Sequence, residues 1–403
     1  MNFLPNHSFD EIHQLYDETI NLMDQKYPGY GYDHLDQNTK RDYPVAYAFY
    51  ALAEGRRYIL TRNIKAYENM LNAASWLIEH ADLDEDGELG WGVPVNRNTF
   101  RVSDFDTTHL EYAVPTSFAC QALLETHLLT SKLGDFDIAS NCRDTAIGAT
   151  TTFYKGCYSE TESGICFWYS ASRKHNFHVI NASALLLGQF QHISQYVIDG
   201  EKFSKIANSA LQFLLQLKRT KGNESWFYFG THKPPSRLNN RIHDILHDAY
   251  TYHGILEYKK YDGQYSHLFN ENQFLENIHA FIKEGVLYEY PYGSWNSRNM
   301  ERRKKWARLW GIAHALYISA YIENNFLLDK SDQNEYRLFN YSFSSYLYSL
   351  LIKNYHFQNY WLNQPEDITN KSGVRATAHV LLALSMYMTF IEKQRYLRVN
   401  LTT

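Results

Sequence analysis

The sequence predicts an all-α protein, an (α/α)6 toroid of about twelve helices, on three observations. Six segments mix small residues with bulky apolar ones, and their aligned centres lie 61 to 71 residues apart. Each of these segments follows an amphipathic segment. The two are joined by a turn rich in glycine and aromatic residues. A repeat of this length holds two helices and their loops, as in helical-repeat folds.

The six segments with small residues should be inner helices. They carry apolar residues on nearly every face, which is typical of buried helices. Their small residues let neighbouring helices approach closely. Aligned on Ala51, Ala122, Gly188, Gly254, Ala315 and Val380, they cover residues 43–55, 114–127, 180–190, 247–258, 309–321 and 375–387.

The amphipathic segments should be outer helices, and they cover residues 8–26, 62–80, 137–154, 201–218, 271–285 and 334–353. The fourth is the clearest, because Phe203, Ile206 and Ala210 follow the spacing of one helical face. Six inner and six outer helices favour a closed ring, in a single domain spanning residues 1–403. An open solenoid is the alternative, since helical repeats also stack linearly.

The six connecting turns should lie at one end of the ring, around the first residues of the inner helices. Trp91, Trp226 and Tyr228 belong to these turns. Aromatic rings pack on the apolar faces of sugars, and helix N-termini attract polar groups. Aromatic residues make up 16% of the chain, with 33 Tyr, which favours an aromatic-lined pocket for a saccharide. The alternative is that these rings only fill the loops.

Composition narrows the function classes. The net charge of −5 argues against a nucleic-acid partner, because phosphate binding needs a basic face. Four scattered Cys without a CxxC pair predict neither a disulfide scaffold nor a cysteine metal site, and we expect no cofactor. The N-terminus lacks the apolar core of a signal peptide, and no apolar run approaches the ~20 residues that cross a bilayer. We expect a cytoplasmic protein without an integral membrane segment.

Polar residues at the start of two inner helices are the main catalytic candidates. Asp244, His247 and Tyr250 open the fourth inner helix. A histidine beside a carboxylate moves protons near neutral pH, so His247 is a candidate acid or base oriented by Asp244, with Tyr250 binding substrate. The alternative is an ordinary N-cap. Before the third inner helix, Tyr169 is a second candidate acid or base and Asn181 a substrate ligand.

Arginines near the same rim could hold an anionic group through paired N–H donors. Arg97 precedes the second inner helix, and Arg308 and Arg375 occupy nearly matched positions before the fifth and sixth. Glycoside hydrolysis would instead need two carboxylates on opposite sides of the bond, for example Asp106 and Asp248. The sequence leaves both chemistries open.

One turn has the pattern of a cation site. The run Asp82-Leu-Asp-Glu-Asp-Gly resembles the first half of a calcium loop, in which alternate carboxylates bind the ion. The Glu expected at the twelfth position is replaced by Val93. We interpret the run as a solvated turn, with a bound cation as the alternative, and expect no other metal site.

Short motifs occur in this order: GWGVPV from Gly90, PTSFACQALLE from Pro115, FWYS from Phe167, SWFYFG from Ser225 and DILHDAYTYHGILEY from Asp244. Their order resembles a family of toroid proteins encoded with bacterial capsule and exopolysaccharide genes. That family is similar to the helical domain of glucuronyl C5-epimerases and to toroid polysaccharide lyases. The resemblance spans roughly residues 85–390 and includes an Asp-x-x-His and a Tyr-Ser matched by this chain. Epimerases usually carry a further β-rich domain, and no β-patterned segment is visible here.

The leading hypothesis is an enzyme acting on an acidic, uronate-containing saccharide in surface polysaccharide production, by β-elimination or C5 epimerisation. Arg97, Arg308 or Arg375 would neutralise the uronate carboxylate. Tyr169 or His247 would move the C5 proton. One alternative is a glycoside hydrolase. Another is a non-catalytic glycan-binding component of the polysaccharide synthesis machinery.

Overall fold

The structure, a computed structural model, describes residues 7–96, 106–217, 226, 228–230, 242–291, 305–327, 342–358, 360–365 and 371–402. For residues 272 and 397–402 it describes the backbone only. Twelve α-helices lie within these ranges. The inner ones are α2 (Pro44–Thr61), α4 (Ala113–Leu133), α6 (Ile180–Ile193), α8 (Ile245–Lys260), α10 (Leu309–Ile322) and α12 (Val374–Thr402). The outer ones are α1 (Phe9–Ile20), α3 (Ile64–Glu79), α5 (Phe136–Tyr154), α7 (Gly200–Leu217), α9 (Asn272–His279) and α11 (Phe343–Tyr355).

The inner helices close into a ring. Each packs against the next in chain order, and α12 packs against α2. Around them, α3 lies on α2 and α4, α5 on α4 and α6, and α7 on α6. On the other side, α9 and α11 lie on α10, and α1 lies on α12. The predicted (α/α)6 toroid is therefore confirmed, and contact between the first and last inner helices excludes the open solenoid.

The tightest approach in the ring joins α6 to α8. A Cβ placed on Gly254 would lie 1.9 Å from the carbonyl oxygen of Ala184, and one on Gly188 would lie 2.4 Å from that of Gly254. Such distances are far inside van der Waals contact, so only glycine allows these two backbones to pack together. The small residues in the inner segments thus act as predicted.

The outer helix α9 ends before its predicted boundary at residue 285. Its last residue is His279, because β5 (Ile282–Lys283) turns back to pair with β6 (Val286–Leu287). Gly285 lies in that turn with φ of +76°, a conformation that glycine adopts without strain. Residues 328–341, which include the start of the predicted sixth outer helix, lie outside the described residues.

Short β-hairpins occupy four of the outer-to-inner turns. Besides β5 and β6 they are β1 (Tyr30–Asp33) with β2 (Asp36–Asp42), β3 (Tyr158–Thr161) with β4 (Gly164–Phe167), and β7 (His356–Phe357) with β8 (Tyr360–Trp361). Among the described residues these hairpins form no β-rich domain, so the predicted all-α class is confirmed. Most of these strands have two to four residues, too few for a clear alternation of polar and apolar positions.

One described helix is long and apolar enough to cross a membrane, contrary to the sequence expectation on run length. It is the Val374–Tyr396 part of α12, with a mean hydropathy of 1.4. The most apolar 18-residue window of this segment is 83% buried inside the protein. The helix packs there against α2 and α10. This is the environment of a core helix in the ring.

The ring axis contains buried polar side chains below the turn end. His253 Nε2 donates to Gln121 Oε1, and His314 Nε2 donates to His253 Nδ1, both at 3.0 Å. All three side chains are at most 5% exposed. Burial lowers the pKa of His253 to about 3 and that of His314 well below its usual range, so both rings are neutral.

Candidate functional site

A cavity of about 130 Å³ opens at the turn end of the ring. All six inner helices contribute residues from their first turns or the position just before them. Its wall combines aromatic, basic and small apolar side chains: His34, Val45, Val93, Tyr112, Val114, Pro115, Tyr169, Asn181, Tyr228, Leu246, His247, Tyr250, Arg308, Trp310, Arg375 and His379. Ring closure therefore brings residues from the whole length of the chain to one hollow.

His247 and Asp244 form a hydrogen-bonded pair at this wall. Asp244 caps α8 by accepting the backbone N–H of His247 at 3.0 Å, and the same oxygen lies 2.5 Å from His247 Nδ1. The Asp244 side chain is fully buried, whereas that of His247 is 19% exposed. A carboxylate at Nδ1 holds the proton there and leaves the lone pair of the neutral ring on Nε2. The helix cap posed as the alternative is therefore present, and the same oxygen that caps the helix also orients the imidazole.

Arg308 is fixed by two carboxylates behind the wall. Its Nε donates to Glu289 Oε1 at 2.7 Å, and its backbone N–H donates to the other oxygen at 2.9 Å. A terminal nitrogen also lies 3.5 Å from Asp244 Oδ2, which connects it to the His247 pair. The guanidinium stacks over the Trp310 ring at 4.7 Å. Arg308 is therefore both oriented and partly neutralised by the protein.

Arg375 is held in the same way from the first hairpin. Its Nε and one terminal nitrogen donate to the two oxygens of Asp33 at 3.0 and 2.6 Å. Burial alone would raise the pKa of Asp33, but Arg375 and His34 hold it well below its usual range. The side chains of Asp33 and Arg375 are 2% and 11% exposed. Their bidentate pair connects the start of the last inner helix to the hairpin that precedes the first inner helix.

Tyr250 and His379 form the floor of the cavity. His379 Nδ1 donates to the Arg375 carbonyl at 2.7 Å, so Nε2 accepts the Tyr250 hydroxyl, also at 2.7 Å. Burial lowers the pKa of His379 to about 3 and raises that of Tyr250 above its ordinary value. The phenol therefore keeps its proton, donates it to His379 and can accept a hydrogen bond at its oxygen, rather than acting as a base.

Two buried polar atoms on the wall have no hydrogen-bond partner among the described residues. They are the Asn181 side-chain oxygen, which accepts, and the Trp310 indole nitrogen, which donates. Their side chains are 2% and 7% exposed. Buried polar groups are normally satisfied, so these two atoms are an open acceptor and an open donor beside the cavity.

The structure brings together most of the residues singled out in the sequence. Those on the wall are Tyr169, Asn181, Tyr228, His247, Tyr250, Arg308 and Arg375, with Asp244 directly behind. The Tyr169 ring packs against Tyr112 at 5.1 Å. Arg97 lies outside the described residues.

Two predicted binding residues are in the core instead of on the wall. Trp91 is 1% exposed, and its indole donates to the Leu77 carbonyl at 3.1 Å, which fixes its turn to α3. Trp226 is fully buried, and its carbonyl accepts the backbone N–H of His243 at 2.9 Å. Neither indole can stack on a ligand in the cavity, so their assignment as substrate-binding residues is corrected.

The carboxylates suggested for hydrolysis do not flank the cavity. Asp106 is exposed and accepts hydrogen bonds from the backbone and side chain of Thr108 at 2.9 and 2.6 Å. Asp248 is fully buried beside His243, with 3.9 Å between its Oδ1 and His243 Nδ1. Among the described residues that line the cavity, none is Asp or Glu.

Sequence reasoning missed the carboxylates that hold the two arginines, and it missed His34, Tyr112 and Trp310 on the wall. Asp33 and Glu289 lie in the same connecting turns that the sequence analysis had identified as the rim. Their position in those turns was the available indication in the sequence that they lie near the cavity. No spacing rule connects Asp33 to an arginine 342 residues away.

Comparison with known proteins supports the fold. No family model matches the chain, and no curated protein matches it. Among solved structures, an unsaturated glucuronyl hydrolase from Bacillus sp. GL1 has a TM-score of 0.61 at 13% identity, covering 94% of this chain and 96% of that one. An alpha-1,6-mannanase from Salegentibacter sp. HEL1_6 has a TM-score of 0.59 at 10% identity, covering 95% and 100%.

A third solved structure is cellobiose 2-epimerase from Bacillus thermoamylovorans B4167. It has a TM-score of 0.62 at 14% identity and covers 96% of this chain and 99% of that one. At such identities the likeness is one of fold. These neighbours are carbohydrate-active enzymes, and the chain shares with them the (α/α)6 toroid over nearly its whole length.

Proposed function

We propose that the cavity binds a saccharide and that His247 exchanges a proton with a carbon atom of the sugar. The observation that carries this proposal is the His247–Asp244 pair on a wall whose described residues include no carboxylate. Hydrolysis by two carboxylates needs both acids at the bond. Removal of a carbon-bound proton needs one positioned base, and histidine is suited to it near neutral pH.

For a uronate-containing substrate, the reaction would be β-elimination or C5 epimerisation. His247 Nε2 takes the C5 proton, which is acidified by the neighbouring carboxylate. In elimination the C4–O bond then breaks, and Tyr169 gives its proton to the leaving oxygen. In epimerisation Tyr169 instead returns a proton to C5 from the opposite face. Arg375 supports carboxylate binding, because its bonds to Asp33 use only Nε and one of its two terminal nitrogens.

A second candidate is epimerisation at C2 of a neutral reducing sugar. Both wall arginines are already compensated by Asp33 and Glu289, which weakens the attraction for an anionic substrate. The C2 proton of an open-chain aldose is acidified by its own aldehyde, and its removal needs no cationic clamp. The fold shared with a cellobiose 2-epimerase agrees with this candidate.

The proposed biological setting is surface polysaccharide production in the cytoplasm, in contact with the synthesis machinery. Its support is the motif order between residues 85 and 390. The same setting would suit a non-catalytic glycan-binding component, so catalysis itself must be tested.

The test is incubation of the protein in D2O with polyuronates, uronate oligosaccharides and cellobiose, followed by NMR and ultraviolet absorbance. Deuterium at C5 or an absorbing unsaturated product supports the uronate reaction, and deuterium at C2 supports the second candidate. His247→Gln should lower the rate by about 10²-fold or more while saccharide binding by calorimetry persists.

The control for that variant is His267→Gln, which changes an exposed histidine in a surface turn. It should leave turnover unchanged. Saccharide binding without deuterium incorporation or product in any substrate would reject both reactions and leave a glycan-binding protein.

A further inference from the structure

The turn after α3 gathers three carboxylates outside the cavity. The ligand oxygens of Asp82, Asp84 and Asp86 all lie within 4.8 Å of one another. Asp82 is half-buried, and the other two are exposed. Exposed acidic turns of this kind are common on protein surfaces, so the cluster by itself says little.

A fourth carboxylate, from a distant part of the chain, points at this cluster. The Glu111 side chain is only 1% exposed, and neither of its oxygens has a hydrogen-bond partner among the described residues. Burial, together with repulsion from the nearby Asp84 and Asp86 carboxylates, raises the pKa of Glu111 to about 8. Burying a carboxylate without a donor or a cation is costly.

The surrounding packing keeps Glu111 in this position. A Cβ on Gly90 would lie 2.4 Å from Glu111 Cγ, so the glycine leaves room for that side chain. Gly90 N–H donates to the Ala81 carbonyl at 2.7 Å, which closes the loop that carries the three aspartates. Turn and glutamate are therefore built as one unit.

We propose that Asp82, Asp84, Asp86 and Glu111 bind a calcium ion. Calcium takes six to eight oxygen ligands, with carboxylates preferred, and four carboxylates with backbone oxygen and water can supply them. The sequence lacks the Glu of a continuous calcium loop, where Val93 stands. Glu111, reached through the fold, takes its place.

The ion would fix one side of the cavity rim. Glu111 directly precedes Tyr112, a wall residue that begins α4. The Tyr112 N–H donates to the Trp91 carbonyl at 3.1 Å, and the His109 N–H donates to that of Val93, another wall residue, at 2.9 Å. Calcium would thus hold the wall residues Tyr112 and Val93 in position through these backbone hydrogen bonds, without contacting the substrate.

The test uses the full chain, first treated with chelator and then titrated with CaCl2 or MgCl2 in a calorimeter and in thermal unfolding. Calcium should bind with one site per chain and raise the melting temperature, and magnesium should do so far more weakly. Asp84→Asn and Glu111→Gln should each weaken calcium binding by about tenfold or more, since affinity follows the number of charged ligands.

The matched control is Glu85→Gln, which removes the same charge from the same turn but from a side chain outside the cluster. It should keep its calcium affinity within about threefold, because water and salt screen an exposed charge that does not bind the ion. Asp84 is exposed, so its variant should fold even if that of Glu111 does not. No calcium response up to about 1 mM, the weak end of known protein sites, would overturn the proposal. Equal losses in Asp84→Asn and Glu85→Gln, or equal binding of magnesium, would do so too.

Discussion

Three basic side chains of the cavity wall are each held by a carboxylate behind it. Asp244 holds His247, Glu289 holds Arg308 and Asp33 holds Arg375. A side chain locked in this way loses little further freedom when a ligand binds. The arrangement fixes the positions of the donors and at the same time reduces the net positive charge that a ligand meets.

Asp33→Asn should destabilise the protein by about 3–5 kcal/mol at neutral pH, because it leaves the buried Arg375 charge without its partner. The folded-state pKa of Asp33 lies below its unfolded value, so the stabilisation is complete above about pH 4 and lost as pH falls further. Urea unfolding of both proteins between pH 8 and 3 measures the difference. It should be constant at high pH and shrink below about pH 4.

Asp36→Asn is the control in the same hairpin. Asp36 pairs with Arg41, whose side chain is 41% exposed, and exposed pairs contribute little. This variant should unfold close to the wild type at every pH. A similar loss for both aspartates would mean that the Asp33 pair is not specially stabilising.

The packing of α6 against α8 determines how closely these two inner helices approach each other in the ring. Both present glycine to the other backbone, at Gly188 and Gly254, and both begin at the cavity wall with Asn181 and His247. The separation of these two helices therefore sets the distance between two groups of the candidate site.

Gly254→Ala should destabilise the protein by about 3 kcal/mol or more, because the new methyl group overlaps the Ala184 carbonyl and forces the helices apart. Chemical unfolding measures the change in free energy. Gly55→Ala is the matched control on an inner helix. There the nearest atom is the flexible Met70 sulfur at 3.0 Å, and the helix gains propensity. A neutral Gly254→Ala would show that this contact is looser than the structure indicates.

Buried neutral histidines are spread through the molecule. Burial lowers the pKa of His192, His253 and His379 to about 3 and that of His175 to about 4. Each would have to take up a proton against the low dielectric of the interior. In the unfolded chain the same residues bind protons near pH 6.5.

Stability should therefore fall on acidification from pH 6.5 towards pH 4. The unfolded state binds more protons in that window, and each histidine adds a slope of about 1.4 kcal/mol per pH unit. His253→Gln should reduce the slope of unfolding free energy against pH by one proton. His267→Gln, at an exposed position, should not. A flat profile between pH 7 and 4.5 would contradict the buried neutral state.

Much of the architecture could be predicted because burial leaves a periodic trace. The inner segments stood out by apolar residues on every face, and six helices were found within a few residues of their observed starts. The wall residues Asn181 and His247 followed because they lie in the first turns of these helices, and Tyr169 followed from its place in the turn before α6. Their mutual placement needed only the assumption that the ring closes.

The rest depended on directions that a one-dimensional pattern does not encode. An indole in a glycine-rich turn can point to the cavity or to the core, and Trp91 and Trp226 point to the core. Asp33 meets Arg375 across 342 residues. Glu111 meets Asp84 only because the turn after α3 folds back on the start of α4. Contacts of this kind require the tertiary structure.

The contact between α2 and α12 has a consequence for biogenesis. The flank of α2 that α12 covers stays without its partner until residues near 380 have been synthesised, so a nascent chain exposes apolar surface for most of its translation. Pairing over such a separation is slow compared with local helix formation, and incomplete rings are prone to aggregate or to exchange helices between copies.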